Sequence, residues 1–495
     1  MTGWPDAPVV YEIDTWPWLH DIGVRLGRPI TLGEVPAEVW DETIPPGTDA
    51  VWLMGVWERS PAGVEIALAN EELQRSFRDA LPDLSAPDIV GSPYCVRRYV
   101  VDERLGGPSG LATARAALRA RGVRLILDYV PNHVAPDHPA VISHPSWFIQ
   151  GSADDLVREP AAWFAAGDRV IAHGRDPYFP PWPDVAQLNA FDPGLRAAAV
   201  DALADIAAQG DGIRCDMAML FTNEVFARTW GAHAGPVPPV EFWPAVISAL
   251  RGTHPEVVLI AEAYWDMEWT LQQQGFDFCY DKRLYDRLAH ENAEAVRKHL
   301  SAGRSYQDRL LRFIENHDEP RAATAFPGGR DRAAAVAVAT LPGATMWHDG
   351  QFEGFRQHLP VFLGRRPAEA VSDDLVAFYR RLLAVVAGMR RGEWTLVEAR
   401  GWPDNATHDN VLAWAWHDGT PHHVTVVNLS ARPAQARIVL PWPSLSGPSW
   451  RLIDLLSGRT FDRSGDEMAG AGLYVDLPAW GSHLFAVTPA STERQ

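Results

Sequence analysis

The chain has 495 residues, 47 % hydrophobic and 22 % charged, enough apolar side chain to bury at least one large core. Its 44 basic and 63 acidic side chains leave a formal charge of −19, which repels phosphate backbones and anionic lipid and argues against nucleic acid and membranes as partners. No run reaches the roughly 18 apolar residues of a membrane span, and Met1–Trp18 lacks the basic start and small-residue cleavage site of a secretory leader, so a cytoplasmic protein is expected.

Short apolar strand candidates recur down the first two thirds of the chain: Val9–Ile13, Ala50–Met54, Val123–Asp128, Gly212–Asp216, Val257–Glu262, Phe276–Tyr280, Leu310–Asn316 and Ala344–Trp347. Stretches with helical spacing, such as Gly110–Arg121 and Leu195–Gln209, lie between them. Strands alternating with helices predict a parallel α/β fold, and eight of them predict a (β/α)8 TIM barrel. Cys95, Cys215 and Cys279 are odd in number and form no Cys-x-x-Cys pair, so they read as reduced packing residues.

About 80 residues, 131–209, separate the third strand from the fourth barrel unit, far more than a βα loop needs, and predict a small lobe over the barrel mouth. It carries Trp147, Trp163, Tyr178, Phe179 and Trp182. Exposed rings suit stacking on sugar faces, but a strand-poor lobe also needs rings for its own core, and packing is the expected role for most of these. After a helix at Asp373–Arg390 the pattern changes to short alternating strands, Val411–Trp416, His422–Val427, Ala436–Leu440, Trp450–Ile453, Leu473–Leu477 and His483–Val487. The expected layout is therefore a catalytic barrel over 1–130 and 210–391, an inserted lobe over 131–209 and a C-terminal antiparallel β-sandwich over 392–495.

Barrel enzymes build their sites at the carboxyl ends of the strands. Here Asp128, Asp216, Glu262 and the group Asn316-His317-Asp318 each close an otherwise apolar run. Three carboxylates at strand ends four, five and seven, with Arg214 and two histidines near them in sequence, fit a reaction that passes through a positively charged sugar ring. Glycoside cleavage is that reaction: one carboxylate attacks, a second carboxyl donates a proton, and negative surroundings stabilise the oxocarbenium ion. Arg214, two residues before Asp216 on one strand, shares its face.

Four segments in order, Asp128-Tyr-Val-Pro-Asn-His133, Gly212-Ile-Arg-Cys-Asp216, Ala261-Glu262-Ala and Phe313-Ile-Glu-Asn-His-Asp318, resemble the conserved regions of the α-amylase family, glycoside hydrolase family 13. The resemblance implies that Asp216 is the nucleophile, Glu262 the acid/base and Asp318 the third carboxylate, with Arg214 orienting the nucleophile. It further implies sugar contacts for His133, His317 and Tyr94, and makes Asp128 an organiser of the site. Pro183-Asp-Val-Ala-Gln-Leu-Asn189 resembles the family's fifth region and is read first as loop architecture.

The sequence also departs from the pattern. Cys95 and Arg97-Arg98 stand where acidic residues are usual beside the matching tyrosine, and Met219-Leu220 replaces the Lys-His pair that holds a leaving glucan in endo-acting amylases. Long-starch endo-cleavage is therefore not expected. The missing histidine removes one usual contributor to the family's structural calcium site; Asn132 matches another, so the resemblance leaves room for calcium while the chemistry requires no cofactor. Trp347–Gly354, after the eighth strand, either faces substrate or caps the barrel.

The expected function is a retaining hydrolase of short α-glucosidic oligosaccharides or small glucosides, working through a covalent glycosyl-aspartate, with a carbohydrate as its partner. The alternatives are a transglycosidase, phosphorylase or isomerase using the same intermediate, or a carbohydrate-binding protein without catalysis.

Overall fold

The computed structural model describes residues 3–490; residues 1–2 and 491–495, the extreme ends of the expected barrel and sandwich segments, lie outside the described residues. Eight strands close a barrel: β1 (Val9–Asp14), β2 (Ala50–Met54), β3 (Arg124–Tyr129), β4 (Gly212–Cys215), β5 (Val258–Ala261), β6 (Phe278–Tyr280), β7 (Leu310–Arg312) and β8 (Ala344–His348). They neighbour one another in chain order, as a (β/α)8 barrel requires. The strands are almost wholly buried, because helices cover one face and packed side chains fill the other.

Two ends differ from the sequence reading. β4 stops at Cys215, although the Asp216 N–H still donates to Tyr129 O, so the Asp216 carboxylate sits one residue beyond the ladder. β7 was expected to run to Asn316 and stops at Arg312. The chain leaves the sheet there so that buried Glu315 can accept from the Arg321 guanidinium and from the Ala322 N–H at 2.7 Å.

The chain forms two compact units. The first comprises Met1–Tyr280, His317–Glu319 and Gln357–Glu369. It holds β1 to β6 and the expected lobe, a small antiparallel sheet in which Arg169–Gly174 pairs with Gln150–Gly151, Trp163–Ala166 and Trp182–Gln187. Trp163, Phe148, Ile149 and Ile171 are buried within the lobe, whereas Tyr178 and Phe179 stand 59 % and 66 % exposed. Helix Pro193–Gln209 follows, capped by Asp192 and opened by proline, the favoured N-terminal pair. The strap Gln357–Glu369 is pinned to this unit through Val90 N–H to Phe362 O at 2.8 Å, Gly364 N–H to Asp88 O at 2.8 Å and the Arg365–Asp88 ion pair.

The second unit comprises Asp281–Asn316, Pro320–Arg356 and Ala370–Gln495. It holds β7, β8 and the C-terminal antiparallel domain. One sheet orders Glu393–Val397, Val411–His417, His422–Asn428, Ser482–Pro489, Ser449–Asp454 and Thr460–Ser464; the other orders Ala399–Arg400, Ala434–Ile438 and Leu473–Leu477. Val424, Leu452 and Phe485 of the first sheet pack with Ala436, Ile438 and Val475 of the second, which makes the domain a sandwich. Trp347–Gly354 belongs to this unit: Trp347 is fully buried against Phe352 and Tyr379, and Gln351 donates to Tyr379 Oη.

Candidate active site

Parallel pairing places Arg214 directly beside Asp128 of β3 and Ile260 of β5. Side chains two apart on a strand share a face, so Arg214 and Asp216 both enter the barrel mouth. The Arg214 guanidinium, 1 % exposed, donates from Nη1 to Asp216 Oδ1 at 2.9 Å and from Nη2 to Glu262 Oε2 at 2.7 Å. A longer contact, 3.4 Å, reaches Asp128 Oδ1. One planar cation thus bridges the two carboxyl groups assigned from sequence as nucleophile and acid/base. The aromatic rings of Trp52, Tyr94 and Tyr280 surround it at 5.1, 5.1 and 5.8 Å.

Glu262 Oε2 also accepts the Met217 N–H at 2.7 Å, and Oε1 accepts the Tyr264 hydroxyl at 2.8 Å. Two N–H donors on Oε2 leave Oε1 as the oxygen able to carry a proton. Met217 reaches this position only with a left-handed backbone, φ 41°, uncommon away from glycine and characteristic of residues fixed by a site. The Trp243 indole N–H, donating to Ala218 O at 2.8 Å, holds the same turn from below.

His317 lies between carboxylates. Its Nδ1 meets Glu12 Oε1, and its Nε2 lies 3.0 Å from Asp318 Oδ2 and 2.6 Å from Tyr94 Oη. Burial alone would favour a neutral ring, but Asp318 and Glu12 outweigh it and push His317 well above the usual histidine range. Burial likewise raises the Asp318 carboxyl, and the adjoining His317 charge reverses this and holds it at about 2. Asp318 itself is 40 % exposed, open to the cavity. His133 differs: burial pulls it down to about 3, so the ring beside Trp182 is neutral.

Burial pushes Asp216 well above the ordinary carboxylate range; Arg214 opposes this, and Glu262, Asp318 and Asp128 reinforce it. Asp128 is raised by burial too, and is fixed by the Trp52 indole N–H at 3.1 Å and the Gly55 N–H at 3.4 Å. Burial and the neighbouring carboxyl groups thus favour the protonated forms of Asp216 and Asp128 more than water would.

A cavity of about 370 Å³ opens over these groups, lined by Tyr94, His133, Asp216, Glu262 and Asp318 together with Trp182, Tyr264, Met217 and Phe362. Of the residues singled out from sequence, Tyr94, His133, Asp216, Glu262 and Asp318 line this cavity, Arg214 and His317 touch residues that do, and Asp128 stands one step further back against Arg214. Asn132 lies away from the carboxylates. Its carbonyl O and Oδ1, with Leu188 O, all receive the Gln187 Nε2 at 2.9 Å, while Gln187 Oε1 accepts from Asn132 Nδ2 at 3.2 Å and from the Arg175 N–H at 3.3 Å. A side-chain amide that donates stands where a cation using these oxygens would stand, so the donor set as built does not fit calcium. Met219 and Leu220 are buried in the core.

Three participants escaped the sequence reading. Glu12 is a fully buried glutamate in the apolar run of β1, a signal present but not used. Tyr264 lies two residues beyond Glu262, where only geometry reveals its hydrogen bond. Phe362 reaches the cavity from the strap and left no local sign in the sequence.

The closed parallel barrel with buried carboxylates clustered at one mouth defines the class: a (β/α)8 protein with an acidic site at the barrel mouth. No protein-family model matches the chain. It is 25 % identical over 281 residues to the α-1,4-glucan:maltose-1-phosphate maltosyltransferase of Burkholderia pseudomallei, covering 55 % of this chain and 22 % of that protein. It is 27 % identical over 248 residues to the α-amylase MalA of Haloarcula japonica, covering 48 % and 33 %. The chain thus spans between about a fifth and a third of the length of these curated relatives. Among solved structures, the α-amylase from Geobacillus thermoleovorans complexed with acarbose superposes with a TM-score of 0.67 at 16 % identity, over 99 % of this chain and all of that one. The chain resembles these enzymes in sequence and shares the fold of the solved α-amylase.

Proposed function

We propose that the protein is a retaining hydrolase of short α-glucosidic oligosaccharides or small α-glucosides, acting by double displacement. The observation that carries this reading is the Arg214 guanidinium shared between Asp216 and Glu262. A single cation spanning both groups supports the carboxyl separation of about 5–5.5 Å that retention needs, without room for a water between them.

In the first step an Asp216 oxygen bonds to the anomeric carbon while the glycosidic C–O bond breaks, and Glu262 passes its proton to the departing oxygen. In the second, Glu262 takes a proton from water as that water displaces Asp216. Arg214 favours the ionised form of the nucleophile, against the burial that opposes it. Met217 N–H and Arg214 hold one Glu262 oxygen, which leaves the other, beside Tyr264, to carry the transferable proton. Asp318 and the ring of His133 border the cavity where the sugar would lie. No cofactor enters these steps.

Transfer of the same glycosyl group to a sugar or phosphate acceptor in place of water is the second reading, and the maltosyltransferase relative favours it. The test is NMR of products from maltose, longer maltooligosaccharides, sucrose, trehalose and aryl α-glucosides, with wild type and Asp216→Asn. Wild type should release an α-anomer first, and the variant should lose at least ~10⁴-fold in kcat while unfolding at the same temperature. Release of a β-anomer, or an active Asp216→Asn, would overturn the assignment.

A further inference from the structure

A second cavity, about 480 Å³, opens in the same unit and shares no lining residue with the one over the carboxylates. Its walls are apolar: Leu19, Ile30, Val90 and Leu105, all buried, together with Trp16. A space of that size and lining holds a small organic ligand.

The charged groups at this cavity are mostly cations. Arg28, Arg104 and Arg365 line it with a single carboxylate, Asp88, in a chain whose formal charge is −19. Each guanidinium is fixed by a carboxylate. Arg28 donates from Nη1 to Glu34 at 2.8 Å, Arg104 from Nε and Nη2 to Asp102 at 3.0 and 2.8 Å, and Arg365 from Nε and Nη2 to Asp88 at 2.6 and 3.0 Å. Arg28 Nη2, Arg104 Nη1 and Arg365 Nη1 meet no hydrogen-bond acceptor among the described residues. A guanidinium held on one side is preorganised to donate on the other, and its planar fork suits a carboxylate or sulfonate. Apolar walls give sugar hydroxyls little to bond, so the lining selects an apolar body with one anionic end.

The same cavity borders the strap Gln357–Glu369. Val90 N–H donates to Phe362 O and Gly364 N–H to Asp88 O, both at 2.8 Å, and Ile89 bridges Leu363. Asp88, Val90, Gly364 and Arg365 line the second cavity, while Phe362 lines the one over the carboxylates. One short antiparallel joint therefore walls both.

We propose that this cavity is an effector site for a small amphiphilic monoanion, and that its occupant clamps the strap and, with it, the Phe362 wall of the carboxylate cavity. A ligand touching both sides of the joint favours the closed joint over any opened one.

The probe is 8-anilinonaphthalene-1-sulfonate, titrated by fluorescence into wild type, Val24→Asp and Arg28→Gln. Val24 lines the cavity while 68 % exposed, and Arg28 is exposed too, so neither change disturbs the core. Each should weaken binding about tenfold, through one added like charge or one lost charge-assisted contact. Val157→Asp, at an exposed position in the lobe, should leave binding unchanged. N-phenyl-1-naphthylamine, the same rings without the sulfonate, should bind less tightly and ignore Arg28→Gln. At a concentration that fills only the wild-type cavity, the sulfonate should slow hydrogen exchange of the Val90 and Gly364 amides in wild type and not in Val24→Asp. Equal affinity in wild type and both cavity variants would overturn the site, and equal affinity of the two probes its preference for an anion. Binding that leaves both amides exchanging at their free rate would overturn the clamp.

Discussion

His317 shows how this site fixes its charges. A buried imidazole flanked by Glu12 and Asp318 stays charged because two anions repay its desolvation, and its charge in turn keeps Asp318 ionised. The linkage has a defined pH window. His317, raised in the folded state, contributes stability that is complete below its ordinary value of 6.5 and disappears only as pH climbs through the raised value. Asp318, lowered to about 2, contributes stability that is present above its ordinary value of 3.8 and is lost as pH falls through about 2. The gap in unfolding temperature between wild type and His317→Gln should therefore hold from about pH 4 to beyond pH 7 and narrow toward pH 2. A melting series over that range checks it; a gap that vanishes just above pH 6.5 would show an ordinary histidine. The residues of the four motifs were legible because strand ends confine reactive groups to one mouth. Glu12 and Tyr264 were not, since pairing across a barrel depends on register and rotamer, which one-dimensional spacing does not encode.

At the level of elements, the Gln187 amide ties the last strand of the lobe to the segment on which the lobe begins. Gln187 is fully buried and makes five hydrogen bonds, three from Nε2 and two to Oε1. Gln187→Ala strands several buried oxygens and an N–H, each costing about 1–3 kcal/mol, so a loss of roughly 3 kcal/mol or more is expected from denaturant unfolding. A chelator should leave the wild-type unfolding temperature unchanged. Gln187→Glu brings a carboxylate against the Asn132 and Leu188 oxygens; it should melt earlier than wild type and recover in part when calcium is added. A drop in wild-type unfolding temperature with chelator would refute the amide latch. The sequence located the eight strands because each is a short apolar run bounded by turn signals. It missed Glu393–Val397 and Thr460–Ser464, edge strands whose half-exposed, polar faces carry little periodic signal.

Across the whole molecule, the change from helical to alternating pattern near residue 392 suggests a detachable C-terminal sandwich, but packing within the second unit argues otherwise. Helix Arg330–Thr340, which leads into β8, is buried at every position from Ala333 to Thr340. A helix apolar all round needs cover on all sides. Part of that cover comes from sandwich strand Val411–His417: the Trp414 indole donates to Thr340 Oγ1 at 3.2 Å and the Trp416 indole to Thr340 O at 2.7 Å. Arg297 reinforces the joint by donating to Val411 O at 2.9 Å. Removing the sandwich would expose this helix face and orphan a buried carbonyl, penalties comparable to the net stability of about 5–15 kcal/mol that a folded domain possesses. A chain ending at Arg391 should accordingly be insoluble or lack a cooperative melt by circular dichroism, whereas the full chain should show no separate sandwich transition in calorimetry. A soluble, cooperatively folding fragment of that length would mean that the strands preceding Arg391 hold their helix without the two tryptophans, and that the sandwich is an appendage to the barrel rather than the cover of its last turn.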